Sequence, residues 1–223
     1  GIFPPLSAWL DNPYAEWVGA QMRGEVCGFV APGAPRRAAT LAWRDARISH
    51  VREGLYGEVF NAVMTSLAYP HRGDLESLIQ ESLTYVPQRS LFAQAVQDTV
   101  EACSTSATWQ EAWEKIVPRW VTPYHWVHTL SNIPAIIIGL WFGWGDFGQT
   151  IRITTQCGLD TDCNAGQAGA IAGVLLGTDG IGPAWRDPIG DTMKSWVIGM
   201  ESLSIADLVE RTCRLGPSEN NES

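Results

Sequence analysis

The sequence predicts an all-α fold. Apolar residues recur at helical spacing, as Leu55, Val59, Ala62, Val63 and Leu67 do, while runs of alternating β-branched residues are nearly absent. Helix punctuation is frequent: residues that cap an N-terminus precede the periodic stretches, and Pro or Gly follows them.

The elements follow in order. Asn12 before Pro13 reads as an N-cap with proline in the first turn, opening a helix over "YAEWVGAQMRGEVCGFV" that "APGAP" breaks. A second helix is expected from Arg36 to His50 and a third from Gly54 to Ala68, ended by Pro70 and Gly73. Amphipathic helices follow over Asp74 to Tyr85 and Ser90 to Ala102, and Thr108 with Glu111 makes a capping box for a helix that Pro118 stops. Beyond the aromatic, histidine-bearing loop "TPYHWVH" come an apolar helix, Ile133 to Trp144, and another beginning near Asp146. In the helix from Asn164 to Leu176, Ala165, Gly169 and Gly173 lie four apart, so a neighbouring helix can approach its backbone closely and the helix is expected at the centre. "GPAWRDPIGD" reads as a loop, followed by two short helices, the last from Ser204. One domain over residues 1–215 and a frayed tail over 216–223 complete the expectation.

Composition narrows the function. With 45% apolar residues and eleven tryptophans, the 223-residue chain can bury a full core. A formal charge of −9 with scattered Lys and Arg offers no basic stripe, so no nucleic-acid partner is expected. The longest apolar run, Ile133 to Trp144, is shorter than the roughly 20 residues a spanning helix needs, so no membrane partner is expected either. Five cysteines without a C-x-x-C pair fit a reducing compartment and hence the cytoplasm.

The chemistry lies in "GLDTDCNAGQAGAIAG", where Asp160 and Asp162 are two residues apart at a helix entry. The plain reading is local: Asp162 caps the helix and Asp160 braces the turn. The alternative is a hard divalent cation, since Mg²⁺ is held by one or two carboxylates with waters. Cys163 suits such an ion poorly, because thiolates favour soft metals.

The wider run resembles the ADP-ribosylglycohydrolase family, particularly its bacterial branch. The resemblance covers the stretch from "NPYAEWVGAQMRGEVCGFV" through "ISHVREGLYGEVFNAVMTSLAY", and then "VHTLSNIPAIIIGLWFGWGDFGQ" through "GLDTDCNAGQAGAIAGVLLG". It implies a single orthogonal helical bundle that binds two Mg²⁺ ions, or Mn²⁺ in some members. Asp160 and Asp162 would be metal ligands and the catalytic carboxylates, and Cys163 stands at a ligand position where many members have threonine. By position, Glu16, Gly19 and Gln21, ahead of "MR", together with His50 and Tyr56, would bind substrate; His128 and Asn132 are similar candidates. The family's other metal half, an acidic run near the N-terminus, has no counterpart here, which implies either an N-terminally incomplete chain or the loss of half the site.

The implied activity is hydrolysis of the glycosidic bond of an ADP-ribosyl group, releasing ADP-ribose from a protein or small acceptor. Cleavage develops oxocarbenium character at the anomeric carbon. ADP-ribose is an anion and the chain is acidic, so its attraction must be local, through cations or helix N-termini. Arg36 and Arg37 read as a solvated helix face. The competing reading is a non-catalytic module that binds ADP-ribose or a protein. A cysteine nucleophile at Cys163 lacks a readable histidine partner.

Overall fold

The computed structural model describes residues 1–71 and 73–216, so most of the expected tail, 217–223, lies outside the described residues. The fold is all-α. Its helices are α1 (Glu25–Phe29), α2 (Pro35–Ala46), α3 (Arg52–Ala68), α4 (Leu75–Leu83), α5 (Leu91–Ser104), α6 (Trp109–Ile116), α7 (Thr129–Phe142), α8 (Phe147–Gln156), α9 (Thr161–Gly180), α10 (Pro183–Arg186) and α11 (Ile205–Cys213). Among the described residues, one antiparallel hairpin, β1 (Thr192–Lys194) with β2 (Ser202–Ser204), is the only sheet.

Several helices start at their sequence-marked caps. The Asp74 carboxylate accepts the Ser77 N–H at 2.8 Å, Ser90 Oγ accepts from Ala93 at 3.1 Å, Asp146 from Gln149 at 3.0 Å and Ser204 from Asp207 at 3.1 Å. In the capping box Thr108 Oγ1 accepts from Glu111 N–H at 3.3 Å, but the Glu111 carboxylate reaches back to Ala107 N–H. The helix does not simply stop at Pro118. It continues as one π-helical turn, Val117–Val121, which turns Trp120 into the core, where its indole N–H donates to Asp98 at 2.7 Å.

Three expectations require correction. Residues 14–30 do not form one helix: they make turns, a 3₁₀ turn at Gln21–Arg23 and the short α1. Tertiary pairing overrides the local signal there. Val18 N–H donates to Val127 O at 2.9 Å, Thr129 N–H donates to Glu16 O at 3.1 Å, and Asn12 spans to the Ser49 carbonyl at 2.8 Å instead of capping a helix. The first of the two short C-terminal helices is instead the β1–β2 hairpin, and Pro183–Arg186 forms a helical turn inside the expected loop.

The third correction concerns the centre. α9 buries only one face, comprising Asn164, Gln167, Ala168, Ile171 and Ala172, and Gly177 at φ +66° interrupts it near the expected end. The central helices are α3, with burial along most of its length, and the apolar α7. α3 packs against α1, α2 and α4, and α7 against α5, α6, α8 and α9. Close backbone approaches occur elsewhere: between α7 and α8 a Cβ on Gly139 would lie 1.8 Å from Thr154 Oγ1 and one on Gly143 2.4 Å from the Thr150 nitrogen, and between α1 and α3 one on Gly28 would lie 2.7 Å from the Ala62 carbonyl oxygen. The core cluster runs from Ala31 to Ala172, whereas α10 and α11 contribute no buried residue.

Candidate functional site

The entry to α9 is set by two left-handed residues in succession. Gly158 has φ +78° and Leu159 φ +65°, a conformation that costs a non-glycine residue energy and that reverses the chain into the helix. Asp160 then occupies the N-cap position, but its carboxylate makes no cap hydrogen bond to the backbone. The cap position thus falls to Asp160 and not, as expected, to Asp162, and no side-chain hydrogen bond fills it. Asp162 follows in the first turn and is exposed.

Ligand atoms of Asp160, Asp162 and Cys163 all lie within 4.8 Å of one another, and among the described residues no other trio of His, Cys, Asp or Glu converges in this way. Cys163 is half-buried, and its thiol is pushed up to about 12 by burial and then by the two neighbouring carboxylates. The donor chemistry fits one divalent cation: two carboxylates on one turn, free of helix capping, with a sulfur beside them.

A buried amide organises this turn. Asn132 Oδ1 accepts the Asp160 backbone N–H at 3.2 Å and the Asn164 amide at 2.7 Å. Its own amide donates to the Trp126 and His128 carbonyls at 2.8 and 2.9 Å. One fully buried side chain thus connects the acidic turn, α9 and the aromatic loop ahead of α7. Its signal in the sequence is slight: it is one of three polar residues, with Thr129 and Ser131, at the start of an otherwise apolar helix.

The aromatic loop forms a wall with the N-terminal segment. Trp17 stacks on His125 with centroids 4.8 Å apart and planes at 5°, Tyr14 lies 4.3 Å from Trp17, and Tyr124 lies 4.9 Å from His128. His128 caps α7, its Nδ1 accepting from Leu130 N–H at 3.1 Å, so the neutral ring carries its proton on Nε2. Glu16 Oε2 stands 3.9 Å from that nitrogen, and Arg52 Nε lies 3.7 Å from Glu16 Oε1. Burial raises the Glu16 carboxyl above its ordinary range, although Arg52 pulls it down. Burial, with His125 nearby, lowers His128 to about 4. Because the imidazole is held neutral, the Glu16–His128 proximity is not an ion pair near neutral pH.

The remaining candidates fall in different surroundings. His50 is buried, with Nδ1 2.8 Å from Ser49 Oγ, and its pKa is lowered to about 4 by burial and by Arg23. A Cβ on Gly19 would lie 3.5 Å from its Nε2, so Gly19 and His50 face each other. Gln21 is fully buried; its side-chain oxygen accepts from Thr129 Oγ1, its backbone carbonyl accepts from Asn61 at 2.8 Å, and its amide nitrogen has no partner. Tyr56 lines a groove of about 400 Å³ with Arg36, Trp43 and Tyr85, and the acidic pair is not among its lining residues. Arg37 donates to the Leu215 carbonyl at 3.0 Å on the surface.

Two features escape sequence reasoning. Arg23, next to Met22, donates to Asp45, to the Gly19 carbonyl at 3.0 Å and to Ser49 Oγ at 3.1 Å, locking the "MR" segment onto the end of α2. Beneath it Glu58 is fully buried and pushed up to about 9 by burial and then by the charge of Asp45. In the sequence Glu58 looks like any helical glutamate.

Compared with known proteins, the chain matches the family model of ADP-ribosylglycohydrolase over residues 7–217. No curated protein matches it.

Proposed function

The chain belongs to the ADP-ribosylglycohydrolase family, a family of glycosidases, and we propose that it hydrolyses the glycosidic bond of an ADP-ribosyl group in a Mg²⁺-dependent reaction, releasing ADP-ribose from a modified protein or small acceptor. The observation that carries the reading is the convergence of Asp160 and Asp162 at the α9 entry, with no capping role to account for Asp160.

Asp160 and Asp162 would hold the cation, Mg²⁺ or in its place Mn²⁺, and Asn132 keeps the Asp160 backbone in place for it. When bound, such an ion would stabilise charge at the ribose hydroxyls and acidify a water so that it attacks the anomeric carbon near neutral pH. The aromatic wall of Tyr14, Trp17 and His125 adjoins the loop whose Trp126 and His128 carbonyls Asn132 holds, and would flank a ligand bound there. Glu16 lies beside that wall, and burial raises its carboxyl above the ordinary range against the pull of Arg52. Five unpaired cysteines support a cytoplasmic setting, and no described helix is long and apolar enough to cross a membrane.

The second reading is a module that binds ADP-ribose without turning it over. Calorimetric titration of ADP-ribose with and without Mg²⁺, paired with hydrolysis of ADP-ribosylated arginine and serine peptides, separates the readings. Metal-dependent binding with turnover, both abolished by Asp160→Asn and Asp162→Asn, is the expected result. Binding without turnover selects the module. No metal-dependent binding in the wild type overturns the assignment of the acidic pair.

A further inference from the structure

We propose that the outward face of α2, with the aromatic groove beside it, is a docking strip for an acidic peptide segment of a protein partner. An aromatic or branched apolar side chain of that segment sits in the groove, and its carboxylates lie over the arginines of α2. The inference is independent of the acidic turn at the start of α9.

Cations are sparse in this chain, fifteen Lys and Arg against twenty-four acids, yet Arg36, Arg37, Arg44 and Arg47 fall within residues 36–47. Asp45 is the one acid in that stretch, and Arg23 already pairs with it. Ala38, Ala42 and Ala46 form the buried stripe by which α2 packs along α3. Arg36, Thr40, Trp43, Arg44 and Arg47 recur at helical spacing on the outward side, and all but Arg47 are exposed. Arg37 donates to the Leu215 carbonyl at 3.0 Å, and Arg47 lies over the Trp43 ring at 4.4 Å. Among the described residues Arg36, Arg44 and Arg47 have no carboxylate partner. A chain of charge −9 therefore presents a local cationic face here.

The groove of about 400 Å³ lies against this face. Trp43, Tyr56 and Tyr85 supply its rings, and Leu55, Val59 and Pro87 its apolar floor. Trp43 is 45% exposed, and neither tyrosine hydroxyl has a hydrogen-bond partner among the described residues. Tyrosine, tryptophan and arginine are the side chains that dominate binding energy at protein interfaces, because each joins a large contact area to a polar tip. A more open groove of about 640 Å³, along Arg37, Leu41 and Arg44, shares Arg36 and Thr40 with the first. Together they follow α2, whose 12 residues span about 18 Å. An extended segment of about five or six residues covers that length.

Charge and length select this occupant. A nucleic-acid strand brings a continuous line of phosphates, which these few cations on an acidic chain would not match. A small anion would use the arginines and leave the aromatic groove empty. A short acidic segment with one anchor side chain uses both, the anchor giving affinity and the carboxylates orientation and on-rate.

The test measures anisotropy of fluorescein-labelled probes with the intact chain: a random copolymer of glutamate and tyrosine, polyglutamate, polylysine and oligothymidylate. The copolymer should bind the wild type, more tightly than polyglutamate does, and polylysine should not compete. Binding should weaken about tenfold or more in Trp43→Ala and in the double variant Arg36→Glu with Arg44→Glu. It should also weaken as salt rises from about 50 to about 300 mM, because exposed charges are screened. Arg152→Glu, which reverses an exposed charge on α8 outside the strip, should change it by less than about twofold. Far-ultraviolet circular dichroism checks that the variants fold. Thr40→Glu, at an exposed position shared by both grooves, repeats the test without removing a ring or an arginine and should also weaken binding about tenfold. No copolymer binding to the wild type overturns the proposal. So does binding that the strip variants leave unchanged, or a loss in Arg152→Glu as large as theirs. Tighter binding of oligothymidylate than of the copolymer, lost in the strip variants, assigns the face to nucleic acid and also overturns it.

Discussion

Asn132 accepts the backbone N–H of Asp160 through its side-chain oxygen at 3.2 Å, across 28 residues of sequence. The same oxygen receives the Asn164 amide, and the Asn132 amide donates to two loop carbonyls, so all of its hydrogen-bonding capacity is used within a fully buried site. Asn132→Ala would leave the Asn164 amide and the loop carbonyls without this partner. A loss of about 2–3 kcal/mol in urea unfolding is expected, from the cost of stranding buried polar groups. Calorimetry should show weaker cation binding as well, since the turn carrying Asp160 loses its tether.

Glu58 makes stability depend on alkaline pH. It is buried, its nearest cationic atom, Arg23 NH2, stands 3.7 Å away, and its pKa is pushed up from 4.5 to about 9. The folded state keeps this proton where the unfolded chain releases it. The stabilisation is complete below about pH 4.5 and is lost as pH rises towards about 9, with a slope of up to about 1.4 kcal/mol per pH unit. Glu58→Gln removes the titration while keeping the size of the side chain. Urea unfolding between pH 5 and pH 9 should give a flatter profile for the variant, which should exceed the wild type in stability at the alkaline end.

The two buried histidines act in the opposite direction. His50 and His128 are both lowered from 6.5 to about 4. Arg23 donates to Ser49 Oγ, which leaves the Ser49 proton for His50 Nδ1 and fits a neutral ring. The folded state binds fewer protons than the unfolded chain between these values, so stability falls as pH drops from about 6.5 towards 4. In a proton NMR titration neither imidazole should titrate above pH 5, and the unfolded chain in urea should titrate both near the ordinary value.

Two glycines separate close packing from backbone freedom. A Cβ on Gly139 would sit 1.8 Å from Thr154 Oγ1, whereas one on Gly166, on an exposed face of α9, would meet nothing within 4 Å. Gly139→Ala should destabilise by about 1–3 kcal/mol or more through forced separation of α7 and α8. Gly166→Ala should stabilise by about 0.5–1 kcal/mol from helix propensity alone. Thermal unfolding of the pair measures both.

Much of the helical framework was legible because its signals are local. Asp74, Ser90, Thr108, Asp146 and Ser204 cap where sequence rules place a cap, since a side-chain oxygen needs only the next turn of its own chain. Residues 14–30 were misread for the complementary reason. Their helical spacing is outweighed by strand-like pairing of Glu16 and Val18 with the loop before α7, a partner more than a hundred residues away. The small-residue stripe of α9 was similarly ambiguous: Gly139 in α7 and Gly143 just beyond its end accommodate a tight contact, and which stripe meets a neighbour depends on helix order in space.

By itself the sequence determined the helical class, the capped helix starts and the placing of Asp160 and Asp162 on one turn, because each depends on residues within a few positions of one another. Only the tertiary structure decided that Asn132 tethers that turn, that Met22 stands against Cys163, that His50 is buried and neutral, and that Glu58 holds a proton under Arg23. Burial and long-range contact set those properties, and both arise from packing between segments far apart in the chain.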